Sequence, residues 1–256
     1  MQTTKIRVEP FLDGQALRVV LDAPKGNVLD SVMMGEILGV LDTLGERREL
    51  KLLCFVGSGD HFSFGASVQE HVRDKAPAML AAFHRMFLQM AELAIPTAAA
   101  VRGRCLGGGM ELAAFCNWVV AHPGAKFGQP EIELGVLAPI ASLILPLRIG
   151  QGATDDLLLS GRTIDAQEAA RIGLVTQTAD DPQAAIEELA GKHLGPKSAS
   201  SLRWAVRAAR WEWNRRLKGD IAAIERLYLD ELMATHDANE GLASFLEKRR
   251  PTWTSA

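Results

Sequence analysis

The chain is poor in cysteine, and the cysteines it has form no pattern. Cys54, Cys105 and Cys116 make no C-x-x-C pair and no metal-ligand spacing. That excludes a disulfide framework or zinc ribbon and predicts reduced, mostly buried thiols. No sign of charge dominates either: a formal net charge of −3 over 256 residues leaves no basic coat for nucleic acid. The longest apolar run, Val136 to Leu147, contains Pro139 and Pro146 and falls short of the roughly 20 residues a spanning helix needs. The first ten residues, Met1 to Pro10, are charged and carry no apolar signal core. There is no internal repeat and no low-complexity segment. With 48% hydrophobic and 23% charged residues, the composition is that of a soluble globular protein, expected in the cytoplasm, without membrane or metal.

What is present is an alternation of strands and helices. Ala16–Leu21 reads as a strand, broken by Pro24 and Gly26. Asp30 then starts a helical pattern in which Val32, Ile37, Val40, Leu41 and Leu44 share a broad apolar face. Leu52 to Val56 is a short continuous apolar run, typical of a strand covered on both sides, and the cluster Gly57 to Asp60 turns it. Leu80, Phe83, Phe87 and Met90 mark an amphipathic helix. Pro96 ends that segment, and Thr97 to Val101 is a second buried strand. The alternation predicts an α/β layered core over residues 1–195. From 196 to 256 the sequence turns helical, with Ser198 to Met233 free of proline and rich in Ala, Arg, Glu and Leu.

Chemistry concentrates in two short stretches. Gly107-Gly108-Gly109-Met110-Glu111-Leu112 sets a carboxylate just inside a helix opened by glycines, and Phe127-Gly128-Gln129-Pro130-Glu131 sets a second one twenty residues on. Glycines entering a helix offer backbone amides and the positive end of a helix dipole, the donors an oxyanion needs. The Phe62–Ala66 loop is placed to give a second donor. A triple glycine is also an ordinary tight turn, an acidic residue in a first helical turn is stabilised there without any further role, and a glutamate after a proline is often a solvated loop charge. The setting argues otherwise: both glutamates lie among small or apolar residues, where burial raises a carboxyl pKa towards neutrality and suits it to proton transfer.

Taken with Asn27-Val28-Leu29, His61 to Ala66, Leu159 to Arg162, Ala166 to Val175 and the Glu240 to Arg249 stretch, these motifs resemble the crotonase, or enoyl-CoA hydratase/isomerase, superfamily almost end to end. The resemblance implies a spiral of ββα turns followed by a helical trimerisation region, with trimers that commonly pair into hexamers. It implies that the Ala66 and Gly108 amides hold a thioester oxygen and that Glu111 and Glu131 move water and a proton. Coenzyme A, part of the substrate rather than a separate cofactor, is implied near Lys25, Asn27, Val28, Gly65, Ser67 and Val68. Lys248, with Arg249 and Arg250, is the implied phosphate contact.

Several positions depart from the common pattern. Ser67 replaces a frequent Asp, Phe64 a frequent Ala, and the paired glycines after the second glutamate become Ala141-Ser142. The run from Gly135 to Gly150 resembles the branch that hydrates cyclohexa-1,5-diene-1-carbonyl-CoA to 6-hydroxycyclohex-1-ene-1-carbonyl-CoA in anaerobic aromatic degradation. Other readings are a straight-chain enoyl-CoA hydratase, an isomerase, C–C hydrolase or decarboxylase, and an RNA-binding homologue acting through the Arg203–Lys218 helix. The net charge and the lack of an RNA-recognition motif disfavour the last. His84, beside an apolar helix face, is assigned to packing or capping. Trp204 and Trp211, seven apart, are expected to share one helix face.

Overall fold

The computed structural model describes residues 3–23 and 25–255; Met1, Gln2, Pro24 (expected to break the first strand) and Ala256 lie outside it. Apolar runs become the strands of a six-stranded sheet. An antiparallel edge strand, β1 (Ile6–Phe11), pairs with β2 (Ala16–Leu21). Parallel to β2 come β3 (Leu52–Gly57), β4 (Thr97–Val101), β6 (Trp118–Ala121) and the short β9 (Gln177–Thr178), in spatial order β1-β2-β3-β4-β6-β9. A second sheet of β5 (Arg104–Leu106), β7 (Lys126–Gly128) and β8 (Thr163–Asp165) lies beside it.

Parallel strands need crossovers, and helices supply them. α1 (Ser31–Thr43) joins β2 to β3, and α2 (Ala76–Leu93) joins β3 to β4. Asp30 caps α1 by accepting from the Met33 amide at 3.0 Å. The buried face of α1 is Met33, Met34, Ile37, Leu38 and Leu41, whereas Val32 is 48% exposed. The expected stripe was thus rotated: the two methionines after Val32 take the core side. Leu80, Phe83, Phe87 and Met90 are all buried along α2. α3 (Gly108–Phe115) follows β5, α4 (Pro139–Ile149) opens on a proline whose missing N–H is no loss there, and α5 (Gln151–Ser160), α6 (Ala166–Arg171) and α7 (Pro182–Leu189) complete the layers.

One face of the large sheet packs on α1 to α4. The other packs Ala16, Leu52, Cys54, Ala98 and Val120 against Ile186, Ala190 and Leu194. Burial on both faces is why β3 and β4 read as unbroken apolar runs rather than alternating ones. All three cysteines are buried and unpaired, as expected.

The C-terminal sequence is helical but not one rod. α8 (Ala199–Ala209) stops at Arg210, whose φ −105°, ψ 19° breaks the ladder before α9 (Trp211–Arg226). Trp204 and Trp211 therefore sit on different helices, 65% and 73% exposed, and share no face. α9 runs into a π-turn, Leu227–Glu231, and α10 (His236–Leu246) follows. Leu217, Ile221, Tyr228 and Leu242 from this region join the same apolar cluster as α2 to α4. No helix among the described residues is long and apolar enough to cross a membrane.

Candidate active site

The site lies beyond the carboxyl ends of the parallel strands, where open α/β sheets place their ligands. After β3 the chain returns through Phe62–Ala66, held in place by two buried polar side chains. Asn27, at φ 49° and 2% exposed, accepts from the Ala23 amide and donates to the carbonyls of Ser58, His61 and Phe62. Ser63 donates to the Asn27 carbonyl at 2.8 Å and accepts from the Gly65 amide at 3.0 Å.

This loop presses against the start of α3. A Cβ on Gly109 would lie 2.6 Å from that of Ser63, so only glycine lets the helix approach. A Cβ on Gly108 would lie 3.2 Å from the Ala66 nitrogen, which puts the Ala66 and Gly108 amides side by side. Among the described residues neither N–H has a backbone or side-chain acceptor. Gly107, the residue before α3, offers no side-chain cap. Two donors are thus left free at a helix N-terminus, the arrangement an oxyanion requires.

The far end of α3 is bound tightly. Arg148 donates to the Ala114 and Cys116 carbonyls at 2.9 and 2.7 Å, and Arg210 to those of Phe115 and Cys116 at 2.5 and 3.0 Å. Burial lowers both guanidinium pKa values to about 10, helped at Arg148 by Arg210 itself, and both stay charged at neutral pH. Cations at a helix C-terminus complement its dipole.

Both glutamates reach one cavity of about 510 Å³. Glu111, in the first turn of α3, is 3% exposed and accepts from the Ala141 amide at 2.7 Å. It therefore lies between the N-termini of α3 and α4. Burial pushes its pKa up to about 7 against the pull of the Ala141 and Ile140 amides. Glu131 sits in a 3-10 turn, Pro130–Leu134. Its Oε1 would be 2.7 Å from a Cβ at position 107, where φ is +49°, so a side chain there would collide with the carboxyl as well as strain the backbone. Burial first, then the neighbouring Glu111 charge, pushes Glu131 up to about 8. The buried Gln129 amide, assigned with its nitrogen towards Glu131, donates to both Glu131 oxygens at 3.1 and 2.9 Å.

Met79, Leu80, Phe83, Val136, Leu137 and Phe245 form the apolar wall, with Arg104, Glu133 and Arg249 among the polar lining. Of the residues expected from sequence, Gly65, Ala66, Val68, Gly108, Glu111 and Glu131 come together around this cavity. Lys25 lines an adjoining hollow with Asp22, Asp60 and His61, and Phe64 borders both spaces. Asn27, Val28, Ser67 and Lys248 line neither; the Asn27 amide is fully engaged in holding the loop. At the C-terminus it is Arg249, gripped by Glu240 and Glu247, that borders the cavity. Gln129 and Tyr228 were not anticipated as site residues. The only signal for Gln129 was its place two residues before Glu131, and nothing in the sequence flagged Tyr228. His84 is buried with its Nδ1 on Glu225 at 2.7 Å, in keeping with a packing role.

Two carboxyls and two unpaired amides on one apolar cavity are the equipment of an acid–base enzyme acting on a carbonyl compound. A model of the enoyl-CoA hydratase/isomerase family matches residues 14–256, and the chain belongs to that family. It is 48% identical over 241 residues to the cyclohexa-1,5-dienecarbonyl-CoA hydratase of Thauera aromatica, a match covering 94% of this chain and 93% of that protein. A probable enoyl-CoA hydratase of Mycobacterium bovis is 36% identical over 92% of this chain and 93% of its own length. Among solved structures, an enoyl-CoA hydratase/isomerase of Xanthobacter autotrophicus superposes with a TM-score of 0.81 at 27% identity, covering 96% of this chain and 93% of that one. The enoyl-CoA hydratase of Bacillus halodurans shares the fold with a TM-score of 0.85 at 20% identity, over 94% of this chain and 100% of that one. The family resemblance and the α/β fold class read from the sequence are borne out.

Proposed function

We propose that this chain adds water to a conjugated acyl-CoA, with cyclohexa-1,5-diene-1-carbonyl-CoA as substrate and 6-hydroxycyclohex-1-ene-1-carbonyl-CoA as product. The observation that carries the reading is the convergence of Glu111, Glu131 and the free Ala66 and Gly108 amides on one cavity. The relative at 48% identity, named for that diene, points to the ring substrate.

The chemistry follows from the diene. Carbon 1 bears the thioester, with double bonds C1=C2 and C5=C6. Glu111, as carboxylate, takes a proton from water as the water oxygen bonds to C2. Electrons move into the thioester oxygen, where the Ala66 and Gly108 amides receive the developing charge. Glu131, still protonated near neutral pH, delivers its proton to C5, and the C1=C6 bond forms. One water is consumed: hydroxyl at C2, hydrogen at C5, with the proton taken by Glu111 replacing the one lost by Glu131. Because the two carboxyls titrate as a pair, the working form is the singly protonated one. Activity therefore falls on the acid side of neutrality, as the pair gains its second proton, and on the alkaline side, as it loses its last.

The test is to incubate the pure protein with cyclohexa-1,5-diene-1-carbonyl-CoA and, separately, with crotonyl-CoA, following product mass and ultraviolet absorbance. Preferential gain of one water by the diene supports the proposal. Preference for crotonyl-CoA moves the reading to a straight-chain hydratase, as the Mycobacterium bovis relative would suggest. Turnover of neither overturns it.

A further inference from the structure

Tyr228 is the chain's only tyrosine. It sits in the Leu227–Glu231 π-turn that ends α9, a backbone irregularity that often marks a functional position. Its side chain is completely shielded from bulk solvent, yet it borders the cavity that holds both carboxyls. Its hydroxyl has no hydrogen-bond partner among the described residues. A buried hydroxyl without a partner costs stability, so its retention beside a reactive cavity calls for a use. The charge that reaches it is Glu131: burial first, then that carboxylate, holds the phenol well above its usual range, so it stays a donor at every working pH. His71, Arg104, Glu111, Glu133 and Arg249 are the other titratable groups lining the cavity.

We propose that Tyr228 is a positioning residue for Glu131, its hydroxyl donating to that carboxylate once the carboxyl has given up its proton. Gln129 grips the same carboxyl through its amide. Tyr228 adds a donor matched to the moment when charge appears, and it keeps the group aimed at the acyl chain until a proton returns. The inference rests on the hydratase reading for its kinetic consequence but not for its physical one.

Two measurements test it. Tyrosine labelled with 13C at Cζ gives a single resonance in this chain, recorded on the free protein without substrate. The resonance is expected to step with pH as Glu131 ionises, and the step is expected to vanish in Glu131→Gln. A resonance flat across neutral pH, or a step that survives Glu131→Gln, overturns the proposal. In kinetics, Tyr228→Phe keeps the ring and removes only the donor. It is expected to lower kcat about ten- to hundredfold with KM little changed, and to move the alkaline limb of the profile to higher pH, because an ionised Glu131 has lost a stabilising donor. An unchanged kcat and profile also overturns the proposal. If no acyl-CoA is hydrated while the resonance still follows Glu131, the function proposed above fails and the pairing of the two side chains stands.

Discussion

Glu36 and Glu111 make an instructive pair. Both sit on helices, 6% and 3% exposed, and they ionise in opposite directions. Burial works against the charge on Glu36, but the Thr4, Lys5 and Ile6 amides and the Thr4 hydroxyl all donate to its carboxylate and outweigh it, so its pKa is lowered. Glu111 is engaged at hydrogen-bond distance by the Ala141 amide alone, and burial prevails. Burial alone does not raise a carboxyl's pKa; burial with too few donors does. Glu36 ties the edge strand β1 to α1. Glu111 is left with unused capacity facing a cavity.

The sharpest way to break the comparison is to remove each charge in turn. Glu111→Gln is expected to lower kcat by about 10²–10⁴-fold, while Glu36→Gln leaves kcat near that of the parent; steady-state kinetics on acyl-CoA decide. A Glu111→Gln enzyme with near-parental turnover would place Glu111 with Glu36 as a structural residue. Next in size, Glu36→Leu strands three amides and a hydroxyl and is expected to cost about 2–4 kcal/mol of stability, measured by urea unfolding. Arg148→Met is expected to cost about 1–3 kcal/mol by freeing the carbonyls of Ala114 and Leu174, while that of Cys116 keeps its bond from Arg210, read in the same experiment.

The smallest effect has a definite sign. A carboxyl raised to about 8 in the folded protein holds a proton that the unfolded chain has already released above the ordinary value of 4.5. Its contribution to stability therefore falls as pH rises from about 4.5 and levels off above about 8. Glu131→Gln removes that penalty, so its Tm is expected to exceed that of the parent at pH 8, by about 2–4 °C for each kcal/mol recovered, and to match it near pH 4. Glu36 runs the other way: its contribution is complete above the unfolded value of 4.5 and is lost as pH falls through its lowered folded pKa. A Tm series across pH for Glu131→Gln and Glu36→Gln should show the two slopes crossing.

Much of this was legible in the residues. The β2, β3 and β4 runs and the α2 stripe follow from hydrophobic periodicity, because packing on both sides of a sheet leaves little ambiguity. That Glu111 and Glu131 would meet was expected from their place after glycine-rich turns among small or apolar residues, and both do line one cavity. Asn27 lies in a loop expected to meet the ligand, and what its side chain does there, bonding main chain, is not encoded in local spacing. The rotation of α1 was hidden because Val32 and the two methionines after it are similarly apolar. The break at Arg210 and the arrival of Tyr228 depend on how the last helices pack across α4, and no local spacing encodes that.

The clamp on α3 has a consequence for how this protein could be divided or recombined. Arg210 lies at the joint between α8 and α9, yet it grips carbonyls of the segment whose opposite tip carries Gly108 and Glu111. A chain cut ahead of α8, or grafted with a foreign tail, would forfeit an anchor of α3 along with the residues that roof the cavity. Any exchange of that tail therefore has to bring its own counterpart of Arg210.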